Sequence, residues 1–278
     1  MILAFLTTII DGLSDIFWTK SLNYGVGGKI HDLLSYIVGF IVSIYFIYNG
    51  VDLSKIDSFL VFSTIFLLII AIVTAAMQQK IYAVEKISSV MPFTNVNKIL
   101  SIIISFFVFS DVSVLSLLIT IIAILIIVGF STDFRKFSLP KTTKLIYLSE
   151  ILISLETIFA GYLLFNYNEE LYFIVFVFAG IVFLSLLAYK LNEFKTLKGL
   201  KKEFWINRYI GAMGWISWFL SLVIIKNLGL SVSILLSFIG IGVTLFLSYL
   251  ILKDKPSKKD LWLTFIVTLL VGIGYYFR

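Results

Sequence analysis

The chain has 278 residues, 60% of them hydrophobic and 14% charged, with a net charge of +6 and a mean hydropathy of +1.06. Soluble domains carry about 45–50% apolar and about 25% charged residues, so an ordinary globular enzyme is excluded and an integral membrane protein is expected. There is no cysteine, which removes disulfides and thiolate metal sites, and the basic excess reads as membrane topology, not as a nucleic-acid surface.

Apolar stretches of about 20 residues recur along the chain, the length a helix needs to cross a bilayer. The alternating strands of a β-barrel are missing. Ten spans are predicted, at 2–19, 33–49, 59–78, 88–109, 112–130, 145–165, 170–190, 206–226, 231–252 and 259–277. The first is expected to stay uncleaved, since no basic segment precedes it and Asp11 interrupts it. His31, the single histidine, falls in the loop after it. The connections are short, so one compact all-α bundle is expected, multi-pass in the cell (plasma or inner) membrane, as a monomer. Its partners are the lipid bilayer, a small-molecule substrate and protons; no cofactor and no nucleic acid are expected.

The odd-numbered loops hold 17 of the 22 lysines and arginines, including the clusters Arg135–Lys144, Lys190–Lys202 and Lys253–Lys259. The positive-inside rule puts those loops in the cytoplasm and both termini outside.

Four acids lie in apolar spans, where an ionised carboxylate costs roughly 2.5–3.5 kcal/mol even on lenient scales. Asp11 sits roughly 14 Å into the first span, near the midplane. Asp15 follows about 40° around the same helix face. Two carboxylates so close do not both ionise cheaply; the pair is expected to hold a proton or a bound cation. Glu156 is at mid-depth in the sixth span and is favoured for the cavity. Glu150 lies about 120° away around that helix, closer to an interface, and is expected to be a bystander. Lys98 is at mid-depth in the fourth span, on a stripe with Met91 and Asn95, and needs an acid as its partner. In the eighth span Arg208, Gly211, Trp215 and Trp218 share a stripe. Arg208 is expected to snorkel to the interface; the tryptophans suit a pocket wall that stacks on a ring or holds a cation. Gln78 and Gln79 end the third span as hydrogen-bonding candidates, with Tyr36, Tyr45 and Tyr82 as weaker ones. Gly240, Gly242, Gly272 and Gly274 are expected at close helix contacts, and Pro92 at a bend.

Two stretches repeat at an offset of 143, from Lys86 to Asp111 and from Gly229 to Asp254, each a turn, an apolar helix and an Asp-containing turn. Ser14-Asp-Ile-Phe17 likewise resembles Leu155-Glu-Thr-Ile158. Residues 1–138 and 139–278 then form two five-helix repeats. Five is odd, so they insert in opposite orientations, as in secondary transporters with a midplane substrate site.

The run Asp11-Gly-Leu-Ser-Asp-Ile-Phe-Trp-Thr-Lys20 resembles the first helix of the drug/metabolite transporter superfamily, the ten-helix EamA-type permeases. Ile81-Tyr-Ala-Val-Glu-Lys-Ile-Ser-Ser-Val-Met-Pro92 resembles that family's approach to its fourth helix, and Ile225-Lys-Asn-Leu-Gly-Leu-Ser-Val-Ser233 its second-half copy. Asp111 and Asp254 stand where the family has Gly-Glu turns. The resemblance implies a secondary transporter of a small polar or amphipathic metabolite working by alternating access, and the acids and base beside aromatic walls suit an amino acid or related amine. It also implies cytoplasmic termini, opposite to the charge rule. The alternative is an intramembrane enzyme acting on a lipid or prenyl substrate. Asp11-x-x-x-Asp15 resembles half of a prenyltransferase aspartate motif, but no second Asp-rich motif accompanies it.

Overall fold

A computed structural model describes residues 2–109, 113–131 and 141–276. In hydrocarbon no water satisfies backbone N–H and C=O groups, so apolar runs close their hydrogen bonds internally. The described residues are accordingly helical, with no strand among them. In chain order the helices are α1 (Ile2–Leu22), α2 (Gly28–Tyr48), α3 (Ser58–Tyr82), α4 (Ile87–Phe109), α5 (Val114–Ser131) and α6 (Lys141–Asn166). They continue with α7 (Glu169–Lys190), α8 (Lys202–Ala212), α9 (Gly214–Leu228), α10 (Leu230–Leu252) and α11 (Lys258–Tyr276). Six segments are long and apolar enough to cross a membrane: α2, α3, α4 as far as Phe107, α6, α7 and the joined run Lys202–Leu228. Val114–Phe130 and Gly240–Leu252 are shorter apolar helices. The protein is a helical membrane protein. The Asp111 turn and the 135–140 part of one basic cluster lie outside the described residues.

Two of the boundary differences from expectation bear on the site. Helix α2 begins at Gly28, not near 33, because its N-terminal amides are capped from a distance. Glu193, in the 3₁₀ turn Glu193–Leu197, accepts hydrogen bonds from Lys29 N at 2.7 Å and Ile30 N at 2.9 Å. Thr196 Oγ1 accepts from Gly27 N at 3.1 Å. An acid at a helix N-terminus satisfies orphan donors and complements the helix dipole. The extended helix carries His31 into the interior, where it is fully buried and its Nε2 lies 2.7 Å from Ser21 Oγ. His31 is therefore a helix residue, not a loop residue. The eighth span also starts early, at Lys202, and is interrupted by a turn at Met213 between Gly211 and Gly214.

Helix α1 packs against α8, α9 and α10, while α6 packs against α3, α4 and α9. Helix α2 lies on α7, α4 on α10, and α5 on α11. One core cluster joins Tyr36, Leu67, Leu163, Tyr172, Phe173 and Phe176. A second joins Ile99, Ile127, Ile158, Leu263 and Val267. Lipid tails are as apolar as leucine, so helix association here rests on close packing. The tight contacts fall on glycines other than those expected. A Cβ on Gly211 would lie 2.8 Å from Trp18 N, one on Gly12 2.9 Å from Thr244 Oγ1, and one on Gly180 2.1 Å from the Tyr36 ring. Among the described residues a Cβ on Gly242 or Gly272 would meet nothing within 4 Å, and one on Gly240 only Thr8, at 3.6 Å.

The bundle is tied at both ends. At one end Asp254, after α10, accepts from Ser88 N at 2.9 Å and Ser88 Oγ at 2.7 Å, capping α4. At the other Asp57 caps α3 through Leu60 N at 2.8 Å and accepts from the Tyr167 hydroxyl at 2.8 Å.

Candidate functional site

A cavity of about 560 Å³ lies inside the bundle. Helices α1, α2, α3, α4, α6, α7, α8, α9 and α10 all contribute to its wall, whereas α5 and α11 do not. Asp11, Asp15, Gln78, Lys98, Glu156, Trp215 and Trp218, all expected at the site, line it. Asp11 is deep in the bundle yet accessible, because it faces this space and not packed side chains. Its Oδ1 accepts from Ser217 Oγ at 3.3 Å, and Ser217 also donates to Thr7 O at 3.2 Å. The break at Met213 positions this contact by letting α9 restart beside α1.

Lys98 donates to the carbonyl oxygen of Ser237 on α10. Its charge also acts on Asp11, Asp15 and Glu150. Glu150 was expected near an interface. It is instead 2% exposed and lines the cavity, and its Oε2 has no hydrogen-bond partner among the described residues. The cavity wall on α6 runs through Glu150, Ile153 and Glu156, a sector of about 120° at 100° per residue. Both glutamates fit inside it, which is why angular separation alone misassigned one of them.

Asn95 is the expected site residue that the lining lacks. It is fully buried and donates to Pro92 O at 3.0 Å. The cavity face of α4 runs through Met91, Thr94, Asn97 and Lys98, so Asn95 sits about 90° from its centre. Gln79 turns from the cavity to α2, donating to Asp32 Oδ1 at 2.7 Å and Gly28 O at 3.2 Å. Tyr36 and Tyr82 line the cavity, while Tyr45 is exposed on the outside of α2.

Helices α2, α7 and α9 contribute an aromatic wall. The Tyr36 and Trp215 ring centroids are 4.2 Å apart, Trp215 and Trp218 meet edge to face at 5.3 Å, and Phe176 lies 4.9 Å from Trp218. Glu156 lies on this side, within electrostatic reach of the Tyr36 and Tyr172 hydroxyls. Among the described residues no hydrogen bond and no charged partner acts on its carboxylate.

Sequence reasoning missed Asp32. It is 7% exposed, lines the cavity, and its Oδ2 has no hydrogen-bond partner among the described residues. It stands so near the N-terminus of α2 that only the early start of that helix buries it. Arg208 does not snorkel. It is 2% exposed, and its Nε, Nη1 and Nη2 lack hydrogen-bond partners among the described residues. Asp32 is the acid in its electrostatic reach. Trp18, which the sequence did not single out, also lines the cavity and meets His31 edge-on at 5.7 Å and Tyr82 at 6.0 Å.

No family model and no curated protein matches the chain. Its fold is similar to that of a solved structure described only as a crystal structure of a protein, with a TM-score of 0.66 and 13% identity. The alignment covers 98% of this chain and 93% of that one. The likeness is one of fold along nearly the whole length.

Proposed function

We propose that the protein is a secondary transporter that moves a small polar or amphipathic metabolite, an amino acid or related amine, by alternating access coupled to protons. The observation that carries this reading is the cavity: about 560 Å³ of space in an apolar bundle, walled by Asp11, Asp15, Lys98, Glu150 and Glu156. Ionisable side chains at membrane depth are expensive and mark substrate or ion routes. A cavity of a few hundred Å³ with few convergent polar groups suits a small ligand.

We read the chain as ten spans in two inverted five-helix repeats, and the sequence repeat at an offset of 143 supports that reading. Exchanging α1 with α6, α2 with α7, α3 with α8–α9, α4 with α10 and α5 with α11 preserves the main packing pairs. The pair α1–α10 becomes α6–α4 and α1–α8/α9 becomes α6–α3, while α2–α7, α4–α10 and α5–α11 map onto themselves. Helices α4 and α10 are both 23 residues long. Their starts at Ile87 and Leu230 keep the offset of the sequence repeat. Inverted halves that meet at a midplane site are built to rock against each other.

The test is counterflow uptake of labelled amino acids and amines into proteoliposomes, run on the wild type, Asp11→Asn and Glu156→Gln. At least one substrate exchanges with wild type and falls at least tenfold with one of the variants. Counterflow that is absent for all substrates, or indifferent to both acids, refutes the reading.

A further inference from the structure

The charges in the cavity are not evenly mixed. Lys98 acts on Asp11, Asp15 and Glu150, a single cation shared among three acids from α1 and α6. Glu156 stands outside that set: the cavity walls desolvate it and nothing in the protein among the described residues answers its charge. An enclosed carboxylate without a partner is costly, so this side of the cavity is incomplete without a cation or a proton.

What surrounds Glu156 separates these occupants. The adjoining wall is Tyr36, Phe176, Trp215 and Trp218. Trp215 and Trp218 meet at an interplanar angle of 85°, so two indole faces form a corner. The corner is backed by packed rings: Phe173 lies 5.4 Å from Trp218 and Tyr172 lies 5.8 Å from it, and both are fully buried. The rings are thus held in place before any ligand arrives. A metal ion needs several oxygen or nitrogen ligands, and no group of three His, Asp or Glu side chains that could hold one is found among the described residues. A proton needs no aromatic wall. A cation with methyl or methylene groups uses both the carboxylate and the ring faces, since ring quadrupoles attract positive charge over their faces and a desolvated ammonium gains most.

Resting on the transporter reading for its site, we propose that the Glu156 side of the cavity is the seat of an organic cation, an alkylated ammonium whose charge meets Glu156 and whose carbon groups lie on Tyr36, Trp215 and Trp218. The substrate class of the cavity is thereby an apolar-bodied amine, and the carboxylate of an amino acid is not required for recognition.

Isothermal titration calorimetry on the full chain in detergent tests this with choline, benzyltrimethylammonium and 3,3-dimethylbutan-1-ol, the neutral isostere of choline. Wild type binds both cations at least about tenfold more tightly than the alcohol, the ratio that a desolvated cation–π contact and one ion pair produce. Glu156→Gln removes that preference, Trp215→Leu weakens both cations, and Trp215→Phe, which keeps a ring face, restores part of the loss. Melting temperatures of the three variants verify folding, and Asp57→Asn on the surface leaves binding unchanged. Equal affinity for choline and the alcohol, no binding of either cation, or a loss carried by Asp11→Asn and not by Glu156→Gln overturns the proposal. Counterflow of an amino acid without cation binding would remove the seat and leave the transporter standing. Cation binding without any counterflow would do the reverse.

Discussion

Glu150 and Glu156 sit on one helix, less than two turns apart, facing one cavity, yet they live in opposite circumstances. Glu150 is almost fully buried and within electrostatic reach of Lys98, although its Oε2 has no hydrogen-bond partner among the described residues. Glu156 is only partly covered, has no hydrogen-bond or charged partner among the described residues, and lies within electrostatic reach of Tyr36 and Tyr172. Residue type is the same for both, and about 9 Å along the helix axis separates them. The difference comes from the facing helix: α4 offers a lysine and an amide, whereas α2, α7 and α9 offer rings. A carboxylate answered within the protein holds the bundle together, and one left unanswered is available to a ligand.

The largest expected effect strikes the answered side. Lys98→Met takes the cation from three carboxylates and leaves their charges enclosed. Removing one member of a buried charge set costs about 3–5 kcal/mol. The melting temperature in detergent therefore falls steeply, whereas Glu156→Gln leaves it unchanged or raises it, because a carboxylate without a partner is replaced by a neutral amide. Equal losses for the two variants would erase the distinction between the two sides.

The helical, membrane-spanning character was legible because length and hydropathy act locally: twenty apolar residues can do little else in a bilayer. Depth along the chain was enough to find Asp11, Asp15, Lys98 and Glu156. Distant events escaped. The early start of α2 depends on Glu193, more than 160 residues away in sequence, and with it went the correct setting of His31 and Asp32. Arg208 is expected at an interface only because the sequence reading starts the span at 206 and leaves Lys202–Trp205, the first turn of α8, in the loop. Asn95 was chosen on spacing to Lys98, but spacing fixes a face only to within about 90°, and the neighbour elements decide which edge opens to the cavity. The interruption at Met213 had a signal, Gly211 and Gly214 three residues apart inside a span, which fits a broken helix at a binding site.

The next effect concerns the distance between the two sides. Gly211 lines the cavity and holds α8 against α1, and a Cβ there meets the Trp18 backbone, N at 2.8 Å and Cα at 3.0 Å. Backbone cannot rotate away as a side chain can, so Gly211→Ala pushes α8–α9 from α1. It is expected to cost about 1–3 kcal/mol by overpacking and to carry Trp215 and Trp218 away from the acids of α1. Gly272→Ala is the control. It faces open space, and alanine is the better helix former, so the melting temperature holds or rises. If both substitutions behave alike, close approach at Gly211 does not set the cavity's width.

The smallest effect lies outside the cavity, at an acid whose partners are complete. Asp57 is exposed, and its carboxyl is held below the usual carboxylate range by the Leu60 amide first and then by the Tyr167 hydroxyl. A carboxyl depressed in the folded state adds stability above its unfolded value, and that contribution is lost as pH falls through the folded value. Asp57→Asn therefore lowers the melting temperature by a small amount at neutral pH and flattens its decline in acid. Below the depressed value of Asp57 the two proteins converge, since the wild-type carboxyl is then neutral as well. A variant that melts in parallel with wild type across the whole acid range would mean that this cap and its tie to Tyr167 contribute nothing. The mouth of the bundle would then be held by its helices alone, and the contrast between answered and unanswered acids would be confined to the cavity.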